Sequence, residues 1–204
     1  KQMRDLGVIV DGNLTFKSHI SVIIHLASIH RSFVSKDRSV LVKAFCVYVR
    51  PLLEYCSPVW NPHHKFLIDG IERVQRSFTK AIPSIRYEPY LTRLRLLKLQ
   101  TLEHRRLLLD LCLCYKILHG IISTDLAQRF HLSGYPSTRG HCYKLRAELF
   151  SVDVAKYFFS NRIVAVWNFL PEHVVLSTTF SRCKSLVARV DLTRFLSVVE
   201  PGHE

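Results

Sequence analysis

The sequence lacks the residue patterns from which most phosphoryl-transfer and hydrolytic active sites are built. It contains no Asp-Asp pair, no Gly-rich phosphate loop ending in Gly-Lys-Ser/Thr, no Gly-x-Ser-x-Gly and no His-Glu-x-x-His. Two-metal phosphoryl transfer needs carboxylates that converge on one point, and hydrolases need their own fixed spacings. We therefore expect this chain to hold no catalytic residues and no cofactor, and not to be an enzyme by itself.

The six cysteines also lack the spacing of a zinc site. No two of them form Cys-x-x-Cys, the usual half of a zinc knuckle or ribbon. Cys112 and Cys114 are two residues apart on a predicted helix, so they point to roughly opposite sides and cannot share a metal there. A zinc site is the alternative to our interpretation, in which the cysteines are buried thiols in a reducing, intracellular compartment, either nucleus or cytoplasm.

Long apolar runs are absent as well. The longest candidate, Ile20 to Ile29, is interrupted by His25 and is far shorter than the roughly 20 residues that cross a bilayer. No secretory signal follows the first residues. We expect no membrane partner, and the start at Lys1 rather than at a methionine predicts a truncated chain.

Positive charge is the property that stands out among what is present. The 204 residues include 29 Lys and Arg against 16 Asp and Glu, which gives a net charge of +13, and 48% of the residues are hydrophobic. The hydrophobic share is typical of a globular protein. The charge favours a polyanionic partner such as nucleic acid; the alternative is a basic globular protein with an ordinary solvated surface.

Hydrophobic periodicity predicts a mainly α fold. Asp5 to Val10 has the composition of one buried strand that ends at the Asp11-Gly12 turn, and no second strand is predicted to pair with it. The chain then shows a helical period of apolar residues. Predicted helices cover Phe16 to Phe33, Lys36 to Tyr48, Lys65 to Ile82, Thr101 to His119 and Asp153 to Phe169. Ser84 to Lys98 has the composition of a linker, and Phe180 to Glu204 is weakly patterned.

The predicted helix from Lys65 to Ile82 has the clearest division into two faces. Its apolar face comprises Ile71, Val74, Phe78 and Ile82, and a basic ridge of Arg73, Arg76 and Lys80 lies on another face. Further basic residues follow, interleaved with Tyr87 and Tyr90: Arg86, Arg93, Arg95 and Lys98. Cations on a rigid surface can contact phosphates, and aromatic rings between them can stack on bases. An ordinary solvated helix face is equally compatible with these residue types.

Two further groups of residues are candidates for binding a phosphate. Arg106 and Asp110 have the spacing of a structural helix pair, which leaves Arg105 as the freer cation. The loop Thr138-Arg139-Gly140-His141 joins a hydroxyl, a guanidinium and an imidazole. Such a loop can hold a phosphate, although a plain turn in which Arg139 pairs with an acidic side chain is also possible.

Blocks of residues along most of the chain resemble one known family in their order. The blocks are Arg4 to Asp11, Leu14 to Phe16, His19-Ile20, Val49 to Pro62, Ile71 to Lys80, Tyr90 to Leu94, Leu102 to Arg106, Asp110-Leu111, Tyr115 to Leu118, Thr138 to His141, Phe158 to Arg162 and Trp167 to Pro171. They resemble the region that follows the palm in LINE-type (non-LTR) retrotransposon reverse transcriptases.

This resemblance implies a function and a division of the chain. Residues 1–12 would be the end of the palm, with the orphan strand; 13–120 a helical thumb-like domain; and 121–204 a smaller, mostly helical C-terminal extension. The catalytic aspartates and their Mg²⁺ would belong to a palm upstream, outside this chain. The chain would grip template-primer or element RNA, so its partners would be RNA, RNA–DNA hybrid or DNA and that upstream palm. The alternative function is a helical protein-interaction module derived from a decayed element.

The candidate nucleic-acid-binding residues from this reasoning combine the basic helix, the segment after it and the loop near residue 140. They are Arg73, Arg76, Lys80, Arg86, Arg93, Arg95, Arg105, Arg139 and His141.

Overall fold

The computed structural model describes residues 2–35, 37–133, 140–148 and 150–198. Within these ranges the chain is mainly helical and contains one two-stranded antiparallel sheet, which confirms the mainly α fold class. The strands are β1 (Gln2–Asp5) and β2 (Val8–Asp11). The α-helices are α1 (Lys17–Ala27), α2 (Arg38–Ala44), α3 (Arg50–Glu54), α4 (Ser57–Trp60), α5 (Lys65–Ala81), α6 (Tyr90–Leu97), α7 (Leu102–Leu118), α8 (Asp153–Lys156), α9 (Phe159–Arg162), α10 (Val164–Phe169), α11 (Glu172–Val175) and α12 (Phe180–Val187).

The first strand is paired, so the prediction of an orphan strand is wrong. The segment read as one strand contains the turn of a hairpin, in which Leu6 and Gly7 both have positive φ, 42° and 88°. Two residues of that conformation make the tight turn whose twist matches paired strands. Met3 lies opposite Val10 in the register. The pairing was missed because β1 is exposed and shows no apolar alternation, and because Leu-Gly is not a typical hairpin dipeptide.

The turn predicted at Asp11-Gly12 is confirmed: β2 ends at Asp11, and the N–H of Leu14 donates to the carbonyl oxygen of Asp11 at 2.9 Å. This turn connects the hairpin to α1. The carboxylate of Asp11 accepts hydrogen bonds from the backbone N–H of Asn13, Thr15 and Phe16 and from the hydroxyl of Thr15, at 2.8–3.1 Å. Although slight burial opposes it, these bonds hold the pKa of Asp11 below its usual value.

The chain forms two compact units, and each has its own apolar core. The first comprises Lys1–Arg106 with Leu196–Glu204, and the second comprises Leu107–Phe195. The boundaries suggested by the resemblance, after residues 12 and 120, remain a prediction about functional parts. The division between the compact units falls inside α7.

Helices α1, α2, α3 and α5 supply most of the core of the first unit. The apolar face predicted for α5 is confirmed, since Ile71, Val74, Phe78 and Ile82 are all buried. Phe45 stacks on Phe78 with the ring centroids 4.3 Å apart. One π-helical turn, Phe45–Val49, joins α2 to α3, so the helix continues beyond its predicted end at Tyr48 and through Arg50-Pro51.

The core of the second unit forms around Trp167, which is fully buried. Its indole N–H donates to the carbonyl oxygen of Tyr143 at 2.8 Å. The neighbouring Asn168 exchanges two hydrogen bonds of 2.8 Å with the backbone of Leu145. Asp110 accepts two hydrogen bonds of 3.1 Å from the guanidinium of Arg162.

Three stretches differ from the helices expected from sequence. The predicted linker contains α6, which begins directly after Pro89 and ends at Leu97, with Lys98 as its C-cap; the basic residues obscured its buried Leu94 and Leu97. The weakly patterned tail contains α12. The single helix expected over Asp153 to Phe169 is three short helices. The break between α8 and α9 occurs where the backbone is extended at Phe158.

Cysteines are distributed between core and surface. Cys114 and Cys183 are buried, Cys142 is exposed, and all six are free thiols. The prediction that the cysteines are buried thiols is confirmed for Cys114 and Cys183 and is wrong for the exposed Cys142. Burial raises the pKa of the Cys183 thiol to about 11, so this cysteine packs as a small neutral side chain. Across the described residues, no helix is both long and apolar enough to cross a bilayer.

Replacement of Ile71 tests the role of α5 in the first core. Ile71 is 0% exposed, so Ile71→Ala removes buried methyl groups and leaves a cavity. We expect the free energy of unfolding to fall by about 2–5 kcal/mol, measured by urea denaturation. Val40→Ala is the control, because Val40 is 48% exposed; we expect it to change stability by less than about 0.5 kcal/mol. Equal losses from both variants would contradict this assignment of the core.

Candidate nucleic-acid interface

Helix α5 presents an exposed stripe on the side away from its buried face. Phe66, Arg73 and Lys80 are all exposed and follow one another at intervals of seven residues, which is nearly two full turns. The stripe therefore runs along one side of the helix for about 21 Å. Arg73 and Lys80 are the two exposed members of the predicted basic ridge.

Arg76, the third member of the ridge, is half-buried. Its guanidinium lies 3.6 Å from the carboxylate of Asp69 and 5.2 Å from the ring centroid of Tyr90. The ion pair offsets part of its charge, and the ring holds the guanidinium plane in place. Arg76 is thus a positioned cation beside the more open Arg73 and Lys80.

A buried polar network fixes the helix that carries this stripe. The carboxylate of Glu72, which is 0% exposed, accepts two hydrogen bonds from the backbone N–H of Leu102, at 3.0 and 3.2 Å. It also accepts the phenolic hydrogen of Tyr90. The side-chain amide of Gln75 donates to the hydroxyl of Tyr90 and to the carbonyl oxygen of Gln100, at 3.0 and 2.9 Å. Helices α5, α6 and α7 therefore meet at one carboxylate.

Burial dominates the titration of this network. Burial raises the pKa of Glu72, although the hydrogen bond from Tyr90, the charge of Arg106 and the N–H of Leu102 oppose it. Burial and the adjacent carboxylate together raise the pKa of Tyr90. The phenol therefore stays protonated and continues to donate to Glu72 at any physiological pH.

Two of the predicted binding residues hold the protein together instead. Arg93 is buried, and its guanidinium donates to the hydroxyl of Thr79 and to the carbonyl oxygen of Glu88, at 3.1 and 2.9 Å. Arg105, expected to be the freer cation, donates from two nitrogens to the two oxygens of Glu54, and that bond raises the pKa of its guanidinium. We therefore do not expect either arginine to contact phosphate, because its N–H groups already donate to oxygens of the protein.

The predicted loop near residue 140 includes His141, which is buried in the second unit. His141 is 1% exposed, and its Nε2 lies 3.2 Å from the carbonyl oxygen of Trp167. Burial lowers the pKa of this imidazole, so His141 is a neutral core residue. We therefore do not expect it to contact phosphate. Arg139 and Thr138 lie outside the described residues.

The remaining candidates lie on and just before α6. Arg86 and Arg95 are exposed. The guanidinium of Arg86 lies 5.7 Å from the ring centroid of Tyr87, which is 92% exposed. These residues follow α5 directly in the chain and extend the set of exposed cations beyond Lys80.

Sequence reasoning missed an aromatic cluster at the start of α5. The rings of His63 and His64 are 4.0 Å apart, and His64 stacks on Phe66 at 5.6 Å. The ammonium of Lys17 lies 5.8 Å from the centroid of the Phe66 ring. The seven-residue interval from Phe66 to Arg73 was the available signal, because it places the ring on the same stripe as the cations.

Together these residues form a surface that suits a nucleic acid. The stripe combines cations for phosphates with exposed rings on which a base can stack. Among the described residues, no group of three or more His, Cys, Asp or Glu side chains is arranged to hold a metal ion.

Titration of the buried carboxylate predicts a pH-dependent difference in stability. Since burial raises the pKa of Glu72 above its usual 4.5, the folded protein binds this proton more tightly than the unfolded chain. Proton binding by Glu72 therefore contributes to stability. That contribution is fully present below the pKa that Glu72 has in the unfolded chain and is lost as the pH rises through its pKa in the folded protein. Glu72→Gln cannot ionise, so relative to this variant the wild type should lose stability with rising pH across that window.

The measurement is the free energy of unfolding from urea denaturation of both proteins at a series of pH values. Subtracting the variant removes the other titrating groups that the two proteins share. A difference that stays flat or changes in the opposite direction would show that Glu72 is not a destabilised buried carboxylate.

Comparisons with known proteins give limited information about this chain. No protein-family model matches it, and no solved structure matches it. It is 29% identical over 127 residues to an uncharacterized protein of Caenorhabditis elegans, and the match covers 58% of this chain. The chain thus spans 64% of the length of the relative that it matches.

Proposed function

We propose that this chain is a nucleic-acid-binding, thumb-like part of a LINE-type reverse transcriptase, an RNA-directed DNA polymerase, and that it grips template-primer or element RNA. The observation that carries the proposal is the exposed stripe of α5. Arg73 and Lys80 are exposed there with Arg76 beside them, while the opposite face of the helix is buried in the core.

The geometry of the stripe supports binding through the nucleic-acid backbone. Arg73 and Lys80 are about 10 Å apart along a helix axis, and the helix is held by the network of Glu72, Gln75 and Tyr90. Rigidly spaced cations contact successive phosphates and recognise backbone and shape rather than sequence. The net charge of +13 adds a long-range attraction to any polyanion.

The proposed relationship to reverse transcriptases rests on the ordered motif blocks. Polar residues from separate blocks meet in space: Glu54 binds Arg105, and Asp110 binds Arg162. Asn61 accepts a hydrogen bond of 3.0 Å from Arg106. These contacts support the interpretation that the separate blocks belong to one fold.

The proposal assigns no catalytic step to this chain. The aspartates and Mg²⁺ of polymerisation would belong to a palm domain, which would be its protein partner. The nucleic-acid partners would be RNA, RNA–DNA hybrid or DNA, in the nucleus or the cytoplasm.

A second candidate function, a helical protein-interaction module, is favoured by the outer face of α1 and the turn that follows it. Val22, Leu26 and Ile29 are 42%, 52% and 54% exposed and follow a helical spacing. An exposed apolar stripe of this kind is typical of a surface that another protein covers.

Replacing the three basic residues of the ridge tests the proposed function. The variant Arg73→Ala/Arg76→Ala/Lys80→Ala should weaken binding to an RNA–DNA hybrid and reduce its dependence on salt. Each lost phosphate contact lowers the slope of log K against log salt by about 0.7–0.9, so the slope should fall by about 2 to 3. Filter binding across a salt series measures both quantities.

A matched control removes the same charge from another helix. Arg182, Lys184 and Arg189 are exposed residues on or next to α12, and their replacement by alanine also lowers the net charge by three. We expect this control to keep most of the salt slope. Equal slopes for the two triple variants would mean that net charge, and not the stripe on α5, governs binding. Salt-independent or absent binding by the wild type would refute the function and favour the protein-interaction module.

A further inference from the structure

An open cleft of about 150 Å³ lies beside the middle of the stripe on α5. Gly70, Arg73, Val74 and Ser77 of α5 line one side of the cleft. Engineered protein cavities of this volume accept a benzene-sized ring. The cleft therefore has room for a planar ring beside a row of cations.

Gly70 lines the cleft where α5 packs against α1. A Cβ added at Gly70 would lie 3.4 Å from Cδ1 of Ile24 on α1. Without a side chain there, α5 approaches α1 closely at the base of the cleft, and the space above it stays open. A larger residue at position 70 or 77 would project into that space.

The opposite side of the cleft comes from the end of α1 and the 3₁₀ turn Ser28–Ser32. Ile24 and the ring of His30 contribute apolar surface. His30 is 5% exposed, and its Nδ1 lies 3.0 Å from the carbonyl oxygen of Ala27. A carbonyl oxygen only accepts, so Nδ1 carries the proton and Nε2 is an acceptor. That buried Nε2 has no hydrogen-bond partner within the described part of the chain.

Two guanidinium groups border the cleft from opposite sides. Arg31 and Arg73 are both exposed lining residues, and none of the lining residues is acidic. An open space of this size, with two cations at its edge and no acidic residue in its lining, matches a nucleotide, which joins a planar ring to phosphates on either side.

We propose that this cleft binds one unpaired nucleotide of a single strand, with the base between α1 and α5 and the flanking phosphates on Arg31 and Arg73. The proposal rests on the function proposed above and makes it more specific. A duplex cannot fill the cleft, because its bases are stacked and paired; a single-stranded segment beside the duplex can. The stripe on α5 and the cleft then contact one continuous strand.

The test compares two single-stranded RNA probes of about 12 nucleotides, a length within the range of single-strand binding sites. One probe carries all its bases, and the other has the same backbone with the central bases removed. The full chain should bind the complete strand about 5- to 160-fold more tightly than the abasic strand, because the one base that would occupy the cleft is among those removed.

Ser77→Leu fills the cleft without changing its charge. We expect this variant to bind both strands with nearly equal affinity and to keep the salt slope of the wild type. Ser185→Leu makes the same change at an exposed position of α12 and should keep the preference for the complete strand. Gly70→Leu fills the cleft from its base and gives the answer if Ser77→Leu fails to fold, as judged by circular dichroism.

The outcomes separate this inference from the proposed function. Equal binding of both strands by the wild type, or an unchanged preference in a folded Ser77→Leu or Gly70→Leu variant, would overturn the cleft as a base site. Salt-dependent binding that is lost in the Arg73/Arg76/Lys80 variant would still support the proposed function in that case. Binding by the wild type that is absent or independent of salt would refute both the base site in the cleft and the proposed function.

Discussion

The buried carboxylate of Glu72 is the interaction on which the arrangement of the first unit depends. It lies on α5 and is bound by the N–H of Leu102 at the start of α7 and by the hydroxyl of Tyr90 on α6. A buried charge is costly unless it is fully hydrogen-bonded, so the three helices must approach in the one arrangement that supplies those donors. The next residue, Arg73, faces solvent. The same helix therefore carries both the buried carboxylate and the exposed cations Arg73 and Lys80.

The basic residues of the protein fall into two groups with different roles. Arg93 and Arg105 are engaged with Thr79 and Glu54 inside the first unit, and Arg162 is paired with Asp110 in the second. Arg31, Arg73 and Lys80 are directed to the surface. Net charge alone cannot separate these groups, because burial decides whether a guanidinium donates to the protein's own oxygens or remains available to phosphates.

Periodicity predicted the long elements well and the short ones poorly. The limits of α5 and α7 were predicted within a residue or so. Helix α5 buries a regular apolar stripe, and α7 ends just before Gly120, which has positive φ. Helix α6 and the hairpin turn at Leu6-Gly7 were missed, since tertiary contacts such as those of Arg93 and Tyr55 hold them. For the site, sequence identified the ridge but could not distinguish Arg73 from the buried Arg93. The partner oxygens of such residues come from distant parts of the chain and leave no local pattern.

The π turn between α2 and α3 explains how one helix can bury a strict four-residue repeat. Leu41, Phe45, Val49 and Leu53 are all buried. In a regular α-helix, each step of four residues overshoots one turn by about 40°, so Leu53 would lie about 120° from Leu41. The wider π turn, with the N–H of Arg50 bound to the carbonyl oxygen of Phe45, winds less per residue and cancels much of that drift. With one residue fewer and regular winding, Leu53 would lie about 20° from Leu41, because eleven steps of about 100° exceed three full turns by about 20°. The π turn thus accommodates one extra residue while Leu53 stays in the core and Glu54 stays beside Arg105.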